Sequence, residues 1–220
     1  MKKFVSVLAV LLLLSACKSK PISFSEPLHR SLSRPLPFGT NYSKPYYKYY
    51  LPPNVGVKSS TEIGSLLSIE QSEIMMNLKV SRVVALSYSD HDLKLEDLMD
   101  EKENLFQEGG HYLDVNDQER MFLFTVYEVK KERYLFVLEN ERVELVSIVD
   151  NNNAAYILEN MMLILRSIDV NDALIVANYS NKEIVEDKTI HEDFFEHAVP
   201  ESGNLIEMYN RLHPDDKIEE

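Results

Sequence analysis

The sequence predicts an α+β domain, an α/β sandwich in which an antiparallel β-sheet is covered by helices, and three observations carry that expectation. Residues Arg120 to Val129, Arg133 to Glu139 and Arg142 to Val149 are apolar stretches separated only by Lys130-Lys131-Glu132 and Asn140-Glu141, the spacing of an antiparallel meander. Directly after them, Ala154, Ile157, Leu158, Met161, Met162, Leu165 and Ile168 recur at helical spacing and make a wide apolar stripe suited to lie across one face of that sheet. Before them, Tyr46-Tyr47-Lys48-Tyr49-Tyr50-Leu51 is rich in strand-favouring aromatics and ends at Pro52-Pro53, which cannot continue a ladder.

The remaining elements come in order along the chain. Seven of the nine prolines lie between residues 21 and 53, interleaved with Ser and basic residues, so residues 17–45 read as a tether and 46–213 as the single folded domain, closed by an acidic tail over 214–220. Such a tether would reach roughly 30 Å as a flexible coil and about 85 Å as extended polyproline II. Leu28, Leu32, Leu36 and Phe38 are more apolar than a pure linker needs, which points to partial packing on the domain. Residues 63–69 form a short extended stretch. Between 73 and 88, Ile74, Met76, Leu78 and Val80 alternate before the phase shifts through Val83, Val84 and Leu86, which predicts one bulged strand or two strands. Leu95, Leu98, Met99, Lys102, Leu105 and Phe106 fall at helical spacing, with Gly109-Gly110 as the stop. Asn152 or Asn153 can cap the long helix, and shorter helices are expected over 171–178, 190–198 and 204–212.

At the start of the chain, Met1-Lys2-Lys3 and an apolar run from Phe4 to Leu14 lead into Leu14-Ser15-Ala16-Cys17. This resembles the lipobox of a bacterial lipoprotein precursor. The resemblance implies a signal peptide over residues 1–16, cleavage between Ala16 and Cys17, and acyl chains such as palmitate on Cys17. Two chains hold a protein on a membrane where one would be marginal. The expected location is therefore the outer face of a bacterial cell membrane, with the membrane itself as a partner through lipidated Cys17.

Cys17 is the only cysteine, so once it is acylated no disulfide forms and no thiolate is left for catalysis or metal binding. Charge is unevenly placed. Residues 18–55 carry six basic side chains against the single Glu26, whereas residues 56–220 carry 15 basic and 35 acidic ones. Such a body is repelled by nucleic acid, which is excluded as a partner, and by anionic headgroups, which instead attract the basic segment. The charge also serves simply to keep the domain soluble.

Signatures of catalysis are sparse. There is no Gly-rich phosphate loop, no Gly-x-Ser-x-Gly elbow and no His-Glu-x-x-His, and six glycines leave little material for phosphate cradles. His191 and His197 flank an acidic and aromatic run, but a spacing of six places them on opposed faces of a helix, where no ion can be shared. Asp90, Asp92 and Glu101 mimic the count of an EF-hand, yet Lys94 occupies a ligand position and Leu95 replaces the turn glycine. No catalytic residue, metal or cofactor is expected. Tyr46, Tyr47, Tyr49 and Tyr50 are the candidate ligand surface, as a platform for sugar rings, against the more ordinary use of aromatics in core and cross-strand packing.

The order of elements, with Tyr49-Tyr50-Leu51-Pro52 at the entry and Met161-Met162-Leu163-Ile164-Leu165-Arg166-Ser167-Ile168 closing the last long helix, resembles the Mog1/PsbP-like fold over residues 46–170. That resemblance implies a binding or assembly factor with no shared catalytic residues. The leading expectation is a non-enzymatic, lipid-anchored binding or assembly module of the cell envelope with a protein or envelope partner. A narrower alternative is an accessory or immunity-type lipoprotein of a secretion system whose acidic face engages a basic protein; another is an envelope-polymer (glycan) binding protein or hydrolase.

Overall fold

The structure, a computed structural model, describes residues 23–88, 94–95 and 103–180. Ala16, Cys17, the Asp90 to Glu101 stretch apart from residues 94–95, and the expected helices over 190–198 and 204–212 lie outside the described residues, as do His191, His197 and the 214–220 tail.

In chain order the elements are α1 (Ser25–Ser33), β1 (Tyr42–Ser43), β2 (Tyr47–Tyr49), β3 (Gly56–Ser60), β4 (Gly64–Ile69), β5 (Ser72–Leu78), α2 (Val80–Ser87), β6 (Phe106–Leu113), β7 (Glu119–Lys130), β8 (Arg133–Glu139), β9 (Val143–Asp150), α3 (Ala154–Ser167), β10 (Asp169–Val170) and α4 (Asp172–Tyr179). Two antiparallel meanders, β3-β4-β5 and β9-β8-β7-β6, meet along the β5/β9 pair to give one seven-stranded sheet. The α+β class is as the sequence predicts, and the β7-β8-β9 meander lies within a residue or two of its expected bounds.

The period-2 pattern of the strands decides which side chains meet the helices. Ile74 and Met76 of β5, Phe122, Phe124 and Val126 of β7, Phe136 and Leu138 of β8, and Val143, Leu145 and Val149 of β9 share one core with Ile157, Leu158, Met161 and Leu165 of α3. Each such side chain contributes about 1.5–3 kcal/mol on burial, which makes this face the main source of stability. The opposite face carries Leu66, Met75, Leu123, Leu135, Val146 and Ile148, also buried, and Leu95 lies against Gly109 there, so closely that a Cβ at Gly109 would meet it at 2.7 Å.

Three expectations are corrected. First, the expected tether over 17–45 is folded from Phe24 onward: Phe24 and Leu28 enter the core, and α1 packs along α3. Pro27 falls in the first turn of α1, where its missing N–H costs no intrahelical bond. Three of the six basic residues assigned to lipid attraction are paired with the body instead, Arg30 and Arg34 on Glu159 at 2.7 and 2.9 Å and Lys48 on Asp169 at 3.1 Å. Second, the chain breaks at Lys79, and the next element is helix α2, not a strand. Packing against α4 outweighs the strand preference of Val80, Val83 and Val84. Third, Gly109-Gly110 does not stop a helix. Both glycines sit inside edge strand β6, where Gly109 admits Leu95 and Gly110 admits the ring of Phe122.

The tyrosine-rich strand is present as β2, but it pairs outside the large sheet. It is the centre of a three-stranded sheet, with Tyr42 opposite Tyr49 on β1 and Asp169 and Val170 of β10 opposite Lys48 and Tyr47. This small sheet brings the end of α3 and the start of α4 beside the turns of the meander. Asn171 caps α4 by accepting from the Leu174 N–H at 3.1 Å.

Candidate functional site

Three chain segments converge at one end of the large sheet: the β6–β7 turn over 114–118, the β8–β9 turn over 140–142, and β10 with the first residue of α4. Between them and the loop before β2 lie three adjoining cavities of about 270, 410 and 550 Å³. All three are lined by Asp169. The first shares Asp114 and Asn116 with the third, and Lys48 links the second and third. Together they form one groove across the end of the fold.

The floor of the groove is a wired network of charges. Asp114, buried at the end of β6, accepts from the Asn116 and Gln118 N–H groups at 2.8 and 3.0 Å and so closes the β6–β7 turn around Asp117, which takes a left-handed conformation. Its other carboxylate oxygen accepts from Arg120 Nε at 2.9 Å. Burial by itself would raise this carboxyl, but the Gln118 and Asn116 amides and the Arg120 guanidinium outweigh it and hold Asp114 below the ordinary aspartate range. Arg120 continues to Glu141 at 3.3 Å, and Glu141 also binds Arg142. Arg142 forms a fork with Asp172, Nε at 2.9 Å and Nη2 at 2.7 Å, so that β9 is tied to the start of α4. Burial works against the Arg142 charge, but Asp172 and Glu141 more than compensate and fix it as a cation.

Asn140 closes the β8–β9 turn in the same way that Asp114 closes its neighbour. Its side-chain oxygen accepts from the Arg142 and Val143 N–H groups, each at 2.7 Å, and its amide donates to Tyr112 Oη at 2.8 Å. Burial pushes the Tyr112 phenol far above its ordinary value, so it remains a neutral hydroxyl bonded between Asn140 and the Leu165 carbonyl. Arg166, at the end of α3, lines the largest cavity and donates to the carbonyls of Ser31 and Arg34 at 2.7 and 2.8 Å, which ties α1 to the same end. Its charge is desolvated, and that burial draws its basicity down.

The rim is of a different character. Phe38 is fully exposed and Leu113 is 55% exposed, and both line the largest cavity together with Leu36 and Pro37. The groove therefore offers a hydrogen-bonding floor whose Arg and carboxylate groups largely neutralise one another, beside an uncovered apolar lip. Among the described residues no group of three His, Cys, Asp or Glu is placed to hold a metal ion, and no helix is long and apolar enough to cross a membrane.

The structure places the sequence-predicted tyrosines elsewhere and uses them for packing, the more ordinary of the two readings, which leaves the stacking platform without support. Tyr46, Tyr47 and Tyr49 are 6%, 2% and 0% exposed, which leaves no free ring face for a sugar. Tyr47 and Tyr49 stack on each other at 6.0 Å, Tyr49 meets Tyr42 at 5.1 Å, and Tyr46 meets Tyr179 at 5.5 Å. Tyr50 is half-buried, with its backbone N–H on Ser167 Oγ. These rings build the small sheet that carries Asp169 and thereby position the groove without lining it, Tyr47 excepted. The groove residues themselves sit in segments that read from sequence only as turns and helix ends. The available signal is Asp114-x-Asn116 and Asn140-x-Arg142, two side chains of the kind that cap their own turns.

No protein family's sequence profile matches the chain, and no curated protein is significantly similar to it in sequence.

Proposed function

We propose that this protein is a lipoprotein of the bacterial cell envelope, acylated at Cys17 and facing outward, whose folded domain is a non-enzymatic binding or assembly module that engages a protein partner through the end groove. The observation that carries this reading is the pairing of a preorganised polar floor, Asp114-Arg120-Glu141-Arg142-Asp172, with the uncovered apolar lip of Phe38 and Leu113. An interface of that make-up combines apolar contact with hydrogen bonds that fix orientation. The large acidic excess beyond residue 55 favours a basic partner and faster encounter with it at low salt. Burial of Tyr46, Tyr47 and Tyr49 removes the specific support for glycan stacking.

The test is capture of the native lipidated protein from detergent-solubilised membranes at low and high salt, with the Phe38→Ser/Leu113→Ser double variant beside it. A partner retained by the wild type and lost by the double variant supports the reading. A turnover that survives purification and is abolished by a single acidic substitution would overturn it.

A further inference from the structure

We propose that the tip of the β7–β8 hairpin is the membrane-facing surface of the domain, close against anionic lipid headgroups, and that the groove is thereby held at the far, outward end. The proposal rests on acylation of Cys17 and adds to it an orientation and a stand-off.

Two geometric facts set them. The chain enters the fold at Phe24, whose ring packs against Tyr134, Phe106 and Phe136 at 5.4, 5.7 and 5.6 Å. Tyr134 and Phe106 lie at the start of β8 and of β6, so the first described residues sit toward the end of the sheet where β7 turns into β8. Seven residue steps separate Cys17 from Phe24, and fully extended they span at most about 25 Å. Phe106 and Phe136 pair with Val126, so Phe24 lies about 13 Å along the strands from the hairpin at Lys130 and roughly 30 Å from the β6–β7 turn at Asp117, and the anchor cannot pass beyond that turn. β7 runs 12 residues, from Glu119 beside the groove to Lys130 at the hairpin, a length of about 40 Å.

The chemistry of the near end agrees. Lys130 and Lys131 are exposed at the tip, Arg133 stands 3.9 Å from Asp150, and Glu128 and Glu132 are the other exposed charges of the hairpin, so cations and carboxylates there are close to balance. The chain beyond residue 55 as a whole has twenty more acids than bases. The hairpin tip itself is thus less repelled by an anionic leaflet than the body as a whole, and Lys130 and Lys131 can reach the headgroups. Leu105, 52% exposed, precedes β6 at the same end and adds an apolar contact.

Acylated Cys17 has no free thiol, so an introduced cysteine becomes the only labelling site. Lys131→Cys and Glu119→Cys, both at exposed positions, would each be labelled with a fluorophore in the full lipidated protein on phosphatidylethanolamine/phosphatidylglycerol vesicles bearing headgroup nitroxides. Loss of fluorescence at 131 with none at 119 is expected. Equal loss at both positions, or greater loss at 119, overturns the orientation while leaving the lipoprotein reading intact. The mass of the N-terminal peptide is read first: an unmodified Cys17 would sink the lipoprotein reading, and this proposal with it.

Discussion

The two ends of the seven-stranded sheet are closed in opposite ways. At the hairpin end, Phe24, Phe106, Tyr134 and Phe136 form an aromatic cluster with ring centroids 5.4 to 5.7 Å from Phe24, and nothing in it depends on charge. At the groove end, closure comes from Asp114 and Asn140 folding back on their own turns and from the Arg120 and Arg142 ion pairs. An apolar cluster gains free energy from area and tolerates imprecision, whereas a polar network is worth little net but holds its members at fixed positions. Stability belongs mainly to the first end, geometry to the second.

Substitutions should separate the two. The largest effect is expected from Phe136→Ala, which empties the centre of the aromatic cluster beneath α1 and should cost about 3–5 kcal/mol in urea unfolding. Next is Arg142→Leu, which removes the Asp172 fork and leaves Glu141 with Arg120 alone. A loss of about 2 kcal/mol is expected, moderated because Asp172 is partly exposed, and binding should fall further than stability does. Asp114→Asn should cost about 1–2 kcal/mol at pH 7. Because the Asp114 carboxyl is held below its unfolded value of about 3.9, its contribution is full above that pH and disappears as pH falls through the lower, folded value. Unfolding curves of the wild type and this variant should therefore diverge at pH 7 and converge in acid. The smallest stability effect, within about 0.5 kcal/mol, is expected for Phe38→Ser, whose ring touches solvent alone, while partner binding is lost.

Legibility in the sequence divides along the same line. The meander and α3 can be read nearly to the residue because their apolar periodicity is local and strong: Arg133 to Glu139 is strand β8 as expected, and Ala154 begins α3 as expected. β6 cannot, since Leu105 and Phe106 continue a helical spacing and the reason for Gly109-Gly110 is contact with Leu95 and Phe122, residues far away in pattern or in chain. Nor can α2, because Val80, Val83 and Val84 prefer strands and only the contact with α4 makes them helical. The folding of residues 24–33 is foreshadowed by Leu28 and Leu32 but hidden by proline content. The groove is the least legible part. Its members come from positions 36–48, 112–120, 140–142 and 166–172, and each segment alone looks like an ordinary turn or helix end. The tyrosines draw notice because they are dense in sequence, yet that density serves packing.

The most direct test compares three forms of the full-length protein in the same capture experiment: wild type, the Phe38→Ser/Leu113→Ser double variant at the groove, and Lys130→Glu/Lys131→Glu at the hairpin. All three should unfold at nearly the same urea concentration, and the partner should be lost only from the groove variant. A partner kept by the groove variant, or lost equally from both variants, would contradict the assignment of recognition to the groove end.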